Sequence, residues 1–188
     1  MERAELKHYV AGFMFDHGRT RVALIRKAKP AWQRGKLNGI GGKVEAGENV
    51  FEAMVREFME ETGYETTVAQ WEQFLRMAGE NDDGGNFRVD FFATIGDLTR
   101  VRTMEAEPVE IVFLTDVHAV RKDMIENLPW LIPLALDYLD DERPHFVDAH
   151  YASGRAGGGG GVWGNDLRYN LERPAPNGET SDSFGGRA

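Results

Sequence analysis

Residues 39–64 read GIGGKVEAGENVFEAMVREFMEETGY, and the rest of the chain is best read outward from them. Glycines at 39, 41, 42 and 47 precede a helical pattern over residues 50–62, which stops at Gly63, a residue type suited to ending a helix. At 100° per residue, Glu57, Glu60 and Glu61 share one narrow sector, while Phe51, Val55, Phe58 and Thr62 fall well away from it. The spacing predicts a helix that packs one side into a core and gathers three carboxylates on another. Like charges so placed repel by about a few tenths of a kcal/mol per pair. Such a helix either leaves them solvated or holds a cation against them. Oxygen-seeking Mg²⁺, or Mn²⁺ in its place, suits the cluster, above all where substrate phosphates complete the coordination. The glycines just upstream let backbone groups approach a metal or phosphate closely, and Lys43 offers a point charge for a phosphate oxygen.

On either side of this segment the pattern is that of one mixed α/β domain spanning residues 1–151. Residues 8–15 and 21–27 are apolar runs around Asp16-His17-Gly18, which predicts a hairpin. Residues 73–77 and 110–115 are strand candidates, and 87–94 alternates Phe87, Val89, Phe91 and Ala93. Residues 80–86 read as a turn. Residues 128–139 read as a helix with Pro129 in its first turn and Pro133 further in, and 146–151 as a last short strand. Residues 152–188 are Gly-rich and without period, so they are expected to form a flexible tail.

The chain has 188 residues, room for one domain of ordinary size. Its 22 Lys+Arg against 31 Asp+Glu leave a net charge of −9, which argues against a broad grip on a nucleic-acid polymer. There is no cysteine, which excludes disulfides, Cys-ligated zinc and a thiol nucleophile. No apolar run approaches the roughly 20 residues of a membrane span. Residues 1–7 are too polar for a signal peptide, so a cytoplasmic protein with no membrane partner, monomeric or homodimeric, is expected.

Gly42, Glu48, Arg56-Glu57, Glu60-Glu61 and Gly63 together resemble the Nudix box, G-x5-E-x7-R-E-U-x-E-E-x-G-U, with every fixed glycine and polar position met. Phe58 and Tyr64 depart from its aliphatic U positions and leave the ligand set intact. The resemblance implies an α/β/α sandwich with a mixed β-sheet, the box forming a loop–helix–loop. It further implies that Glu57, Glu60, Glu61 and the Gly41 carbonyl hold Mg²⁺. Arg56 would orient the carboxylates, with Glu48 secondary or structural. The implied reaction is hydrolysis of a nucleoside diphosphate linked to another moiety. A later loop often adds a carboxylate in this family; Glu105, Glu107 and Glu110 are available, and spacing back from Phe113 favours Glu107.

Residues 36–43, KLNGIGGK, are similar to the W-N-G-x-G-G-K segment of the MutT-like and oxidised-purine nucleoside triphosphatases of that family. The resemblance makes Asn38 the first candidate for base recognition, the other reading being a turn residue. Lys122-Asp123-Met124 and residues 130–134 look like the approach to that group's C-terminal helix. Where adjacent aspartates read the purine there, this chain has Asn127 and Leu128, and Leu128 neither donates nor accepts a hydrogen bond. That departure weighs against 8-oxoguanine preference. Arg26, at a strand end, is a candidate phosphate ligand or simply a surface arginine. The expected function is therefore Mg²⁺-dependent hydrolysis of a nucleoside triphosphate, 8-oxo-dGTP among the candidates, to a monophosphate and pyrophosphate. A pyrophosphatase for ADP-ribose or another nucleoside-diphosphate derivative, or a nucleotide-binding module without turnover, are the alternatives. The ADP-ribose subgroup typically has a proline about fifteen residues past the box, and none occurs here between Tyr64 and Pro108.

Overall fold

The computed structural model describes residues 6–80, 85–140, 146–151 and 167–172. The hairpin forms as expected from β1 (Lys7–Phe15) and β2 (Arg21–Arg26). Asp16 shapes its turn, one carboxylate oxygen accepting the N–H groups of Thr20 and Arg21 at 2.7 and 2.9 Å. A two-residue strand, β3 (Leu37–Asn38), leads into the glycine loop and then α1 (Val50–Thr62). After it come β4 (Glu72–Glu80), β5 (Asn86–Ile95), β6 (Val109–Phe113), α2 (Leu128–Asp140), β7 (Phe146–Tyr151) and β8 (Leu167–Glu172).

Among the described residues these strands form one eight-stranded mixed sheet, in the order β3-β2-β1-β5-β4-β7-β8, with β6 also paired to β2. The β1–β5 and β4–β7 pairs are parallel and the others antiparallel. Val22 and Ala23 pair with both β1 and β6, so β6 occupies the edge of β2 opposite β1. Ile25 pairs with Asn38 on the β1 side, where β1 has already diverged from β2. The glycine loop runs on through this gap, beside β1.

One helix covers each face, which is the α/β/α sandwich expected. On one side Ala53, Met54 and Phe58 of α1 pack with Val10, Met14, Ile25, Phe92 and Trp71. Phe58 meets Trp71 edge-on at 5.0 Å between ring centres. On the other side Leu128, Leu131, Ile132 and Ala135 of α2 cover Phe13, Phe15, Phe74 and Phe91. The period-2 alternation of β5 sends Phe91 to the α2 core and Phe92 to the α1 core.

The inward sector of α1 is rotated relative to expectation. Ala53 and Met54 are buried, Phe51 and Val55 only half so, and Glu61 turns inward with Phe58 and Thr62. β4 extends to both sides of the predicted 73–77, whereas β6 ends at Phe113 and the chain continues as a 3₁₀ turn, Leu114–Asp116. Most of the turn expected at 80–86 lies at 81–84, outside the described residues. Within the segment read as a tail, β8 pairs antiparallel with β7; 152–166 and 173–188 lie outside the described residues. Among the described residues no helix is long and apolar enough to cross a membrane.

Candidate active site

The candidate site lies where the C-terminal half of α1 meets the glycine loop, and both ends of the helix are closed locally. The Asn49 side chain accepts the N–H groups of Phe51 and Glu52, both at 3.0 Å, while the Glu52 carboxylate accepts the Asn49 N–H at 3.1 Å. Gly63, at φ 66°, adopts the left-handed conformation and donates its N–H to Met59.

The glycine loop is hydrogen-bonded to β1 as an extended segment. Gly12 and Ile40 exchange N–H groups at 2.7 and 3.0 Å, Val10 donates to the Gly42 carbonyl at 2.9 Å, and Val44 donates to that of His8 at 2.9 Å. Gly41 has φ +149°, and a Cβ there would collide with the Val10 backbone. A Cβ on Gly42 would overlap the Glu57 carboxylate and force it to shift, whereas at Gly41 the clash is with backbone that cannot.

Arg56 organises the carboxylates. Its five N–H groups donate to Glu48 twice (2.8 and 2.9 Å), to Glu57 (2.9 Å), to Glu60 (3.0 Å) and to the Lys43 carbonyl (3.0 Å). The guanidinium holds the Glu48 carboxyl below its ordinary range, which marks Glu48 as a buttress. Glu60 is half exposed. Glu57 is largely buried, and that burial outweighs Arg56 and leaves its pKa raised, with the charges of Glu60 and Glu105 adding to the effect. Glu61 is only 6% exposed, and its Oε2 accepts the Gly41 N–H at 2.9 Å. Burial pushes its carboxyl up to about 7; Lys27 and the Gly41 N–H oppose the rise, and Glu57 and Glu107 reinforce it.

The loop before β6 is tied to the end of α1: Arg102 donates its N–H to the Thr62 carbonyl at 3.0 Å and Met104 to that of Glu61 at 3.1 Å. Glu107, the carboxylate favoured by spacing, is buried. One oxygen accepts the N–H groups of Ala28 (2.6 Å) and Lys29 (3.2 Å), and the other pairs with the Lys27 ammonium. Glu105 is exposed and lies within electrostatic reach of Glu57. Glu110 grips Arg26 through two hydrogen bonds of 2.5 and 2.8 Å, while Arg26 also donates to the Gly35 carbonyl at 2.7 Å. Arg26 is thus engaged within the loop that follows it.

Asn38, at the end of β3, donates its amide to Gln33 at 3.1 Å, and its side-chain oxygen accepts the Gly39 N–H at 2.7 Å. Asn127, just before α2, has a buried side-chain oxygen with no hydrogen-bond partner among the described residues. Two residues earlier, Ile125 donates its N–H to the Leu37 carbonyl, which brings this segment beside β3. Leu128 is wholly buried in the α2 core. Lys43 is exposed at the loop edge. Sequence reasoning missed Lys27, the cation facing both Glu61 and Glu107. A lysine at a strand end carries no local signal of that role.

Among the described residues no three carboxylate or imidazole groups already converge on one point. Arg56 draws one oxygen each from Glu57 and Glu60, and Gly41 holds Glu61. The donor set nonetheless fits a hard divalent cation: all ligand atoms are oxygens, two of the carboxylates are desolvated, and a nearby positive charge would offset the cost of their burial. An apolar cleft of about 480 Å³ lined by Asn49, Phe51, Glu52, Val68 and Ala69 lies at the other end of α1, away from this set.

The sequence profile described as NUDIX domain matches residues 6–131. The Caenorhabditis elegans protein named "Putative nudix hydrolase 1" is 38% identical over 102 residues, covering 53% of this chain and 26% of that protein, about a quarter of its length. In fold, a MutT protein from Bacillus halodurans superposes with a TM-score of 0.58 at 22% identity, over 90% of this chain and 99% of that one. A bifunctional NMN adenylyltransferase/ADP ribose pyrophosphatase from Francisella tularensis, complexed with AMP and a Mn ion, gives 0.58 at 15% identity over 73% of this chain and 43% of its own. Profile, fold and the box geometry around Arg56 agree: the chain belongs to the Nudix family.

Proposed function

We propose that the chain is a Mg²⁺-dependent pyrophosphohydrolase that cleaves a nucleoside triphosphate to the monophosphate and pyrophosphate, with Mn²⁺ able to replace Mg²⁺. The observation that carries this reading is Glu61, a buried carboxylate raised to about 7 beside a second desolvated one, with a single backbone N–H as its hydrogen-bond donor among the described residues. A structural carboxylate this buried would be fully paired, whereas a site awaiting a cation leaves the deficit.

Glu57, Glu60, Glu61 and the Gly41 carbonyl would hold the ion. When bound, it supplies neutralising charge for the phosphates and lowers the pKa of a water. Arg56 fixes the rotamers of Glu57 and Glu60 and anchors them to Glu48. The Gly41 N–H orients Glu61. Lys43 meets a phosphate oxygen from the loop edge, and Arg26, held by Glu110, supports the phosphate side through the loop it closes. Glu105, exposed and within electrostatic reach of Glu57, is a loop carboxylate available to the reacting water.

Base recognition falls to Asn38 and Asn127. The oxygen of Asn127, without a donor among the described residues, supports this, because a buried acceptor without a donor is a deficit that a base N–H relieves. The test is Mg²⁺-dependent product formation from a panel of ordinary deoxynucleoside triphosphates, 8-oxo-dGTP and ADP-ribose, with product identification. Pyrophosphate release from a triphosphate is expected; turnover of ADP-ribose alone would move the substrate class, and no turnover of any nucleotide by folded, metal-supplied protein would overturn the reading.

A further inference from the structure

We propose that Glu107 is a positioning residue, a clasp that holds the loop after β2 against the loop before β6 and so sets the wall of the nucleotide site. The proposal rests on the hydrolase reading above. Three consecutive residues of one loop converge on this single carboxylate: the N–H groups of Ala28 and Lys29 on one oxygen, the Lys27 ammonium on the other. Backbone amides and an ammonium aimed at one anion make a small, fully engaged nest. Lys27 and Glu107 are both largely buried, so water competes weakly for either.

What the clasp holds is a loop closed on itself. Lys27 donates its N–H to the Lys36 carbonyl at 2.9 Å, Gly35 donates to that of Lys27 at 2.8 Å, and the Arg34 side chain donates to that of Ala28 at 3.3 Å. Gln33, within this loop, accepts the amide of Asn38. On its other side Glu107 follows the segment tied to the end of α1 through Arg102 and Met104. One carboxylate therefore links the end of the Glu61 helix to the loop that orients Asn38.

The clasp also fixes the direction of a charge. Lys27 lies in the electrostatic field of Glu61. With Glu107 in place, the Lys27 ammonium is paired there. Without it, the base side of the site would loosen while Glu57 and Glu60 stayed on Arg56 and Glu61 on the Gly41 N–H.

The experiment compares wild type, Glu107→Ala and Glu107→Gln in the full chain by three measurements. These are amide hydrogen exchange at Ala28 and Lys29, Mn²⁺ affinity by electron paramagnetic resonance, and steady-state kinetics with dGTP. Glu107→Ala should accelerate exchange at both amides and raise KM by roughly tenfold or more, the scale of losing a supporting contact, while kcat changes far less. Mn²⁺ affinity should stay within about twofold, far short of the loss expected for a ligand. Glu107→Gln keeps an acceptor for the two amides and should restore their protection and much of the KM, which also covers failure of the alanine variant to fold. A Mn²⁺ affinity loss of about tenfold or more, a fall in kcat at unchanged KM, or unchanged exchange would each overturn the clasp. Exchange and Mn²⁺ binding need no turnover, so they judge the clasp even if the hydrolase reading fails.

Discussion

Two buried carboxylates of this protein have opposite surroundings. Asp90, in the middle of β5, is wholly inaccessible, yet four side chains serve it. His8 Nε2 lies 2.6 Å from it, Arg76 donates at 3.0 Å, Arg88 donates at 2.9 and 3.1 Å, and Gln73 donates as well. Burial alone would raise its pKa, but Arg88, His8 and Arg76 outweigh it and hold Asp90 below the ordinary carboxylate range. Glu61 is slightly less buried and, among the described residues, has one backbone N–H as donor. Its pKa rises to about 7. Depth does not decide whether a buried carboxylate is held below or above its ordinary pKa; compensation does. The Asp90 cluster is closed and ties β1, β4 and β5 together, whereas the Glu61 cluster has a place left for positive charge.

The largest expected effect tests the closed cluster. Asp90→Asn removes the anion from between two arginines and should destabilise the fold by about 3–5 kcal/mol, read by denaturant unfolding, because several charge-assisted hydrogen bonds to one buried carboxylate weaken together. Mn²⁺ affinity of the folded fraction should not change. Loss of metal affinity there would break the contrast.

Next comes the open cluster. Glu61→Gln and Glu60→Gln should each cut turnover by roughly 10²–10³-fold, the scale of losing a transition-state electrostatic contact, with the fold intact. Near-normal rates in both would remove these residues from the metal set.

The pH dependence of stability sharpens the comparison further. Native Glu61 keeps its proton up to about 7, whereas the unfolded carboxyl, at its ordinary value of 4.5, releases it earlier. Between those values the native state binds more protons, so Glu61 lowers stability as pH rises, by on the order of 3 kcal/mol in metal-free protein. Asp90 acts in the opposite sense: its contribution is present above the unfolded value of 3.8 and is lost as pH falls through its lower native value. Thermal unfolding from pH 4.5 to 8 should show the Glu61 decline in metal-free protein, its disappearance in Glu61→Gln, and its reduction by saturating Mg²⁺. A slope unaffected by Glu61→Gln would place the deficit elsewhere.

The smallest effect concerns the base. Asn38→Ala should alter the ratio of kcat/KM values among bases by about tenfold or less, the scale of one hydrogen bond. An equal loss for every base would make Asn38 a loop-structural residue, as its bonds to Gln33 and Gly39 also allow.

Legibility in the sequence follows the distance over which each feature is encoded. α1 forms over the residues expected because its cap, its glycine stop and its periodicity lie within sixteen residues of one another. β7 likewise forms over the predicted 146–151. β3 escaped notice because two residues carry no period, and β8 because its alternating Leu167, Tyr169 and Leu171 sit in a glycine-rich segment. The rotation that buries Glu61 was hidden too. Helical spacing gives angles between side chains of one helix and not which angle faces the sheet.

The Asp90 cluster left no sequence signal at all. His8 is 82 residues away from Asp90, and only the parallel β1–β5 register brings them together. Glu107 reaches Ala28 across 79 residues for the same kind of reason. The sequence by itself determined the family, the α/β/α plan and the residue types of the Nudix box, because the box is written in local spacing. Tertiary structure alone decided which carboxylates lose water and which gain partners. Desolvation and pairing are sums over atoms contributed by distant segments, and those sums exist only once the sheet has brought the segments together.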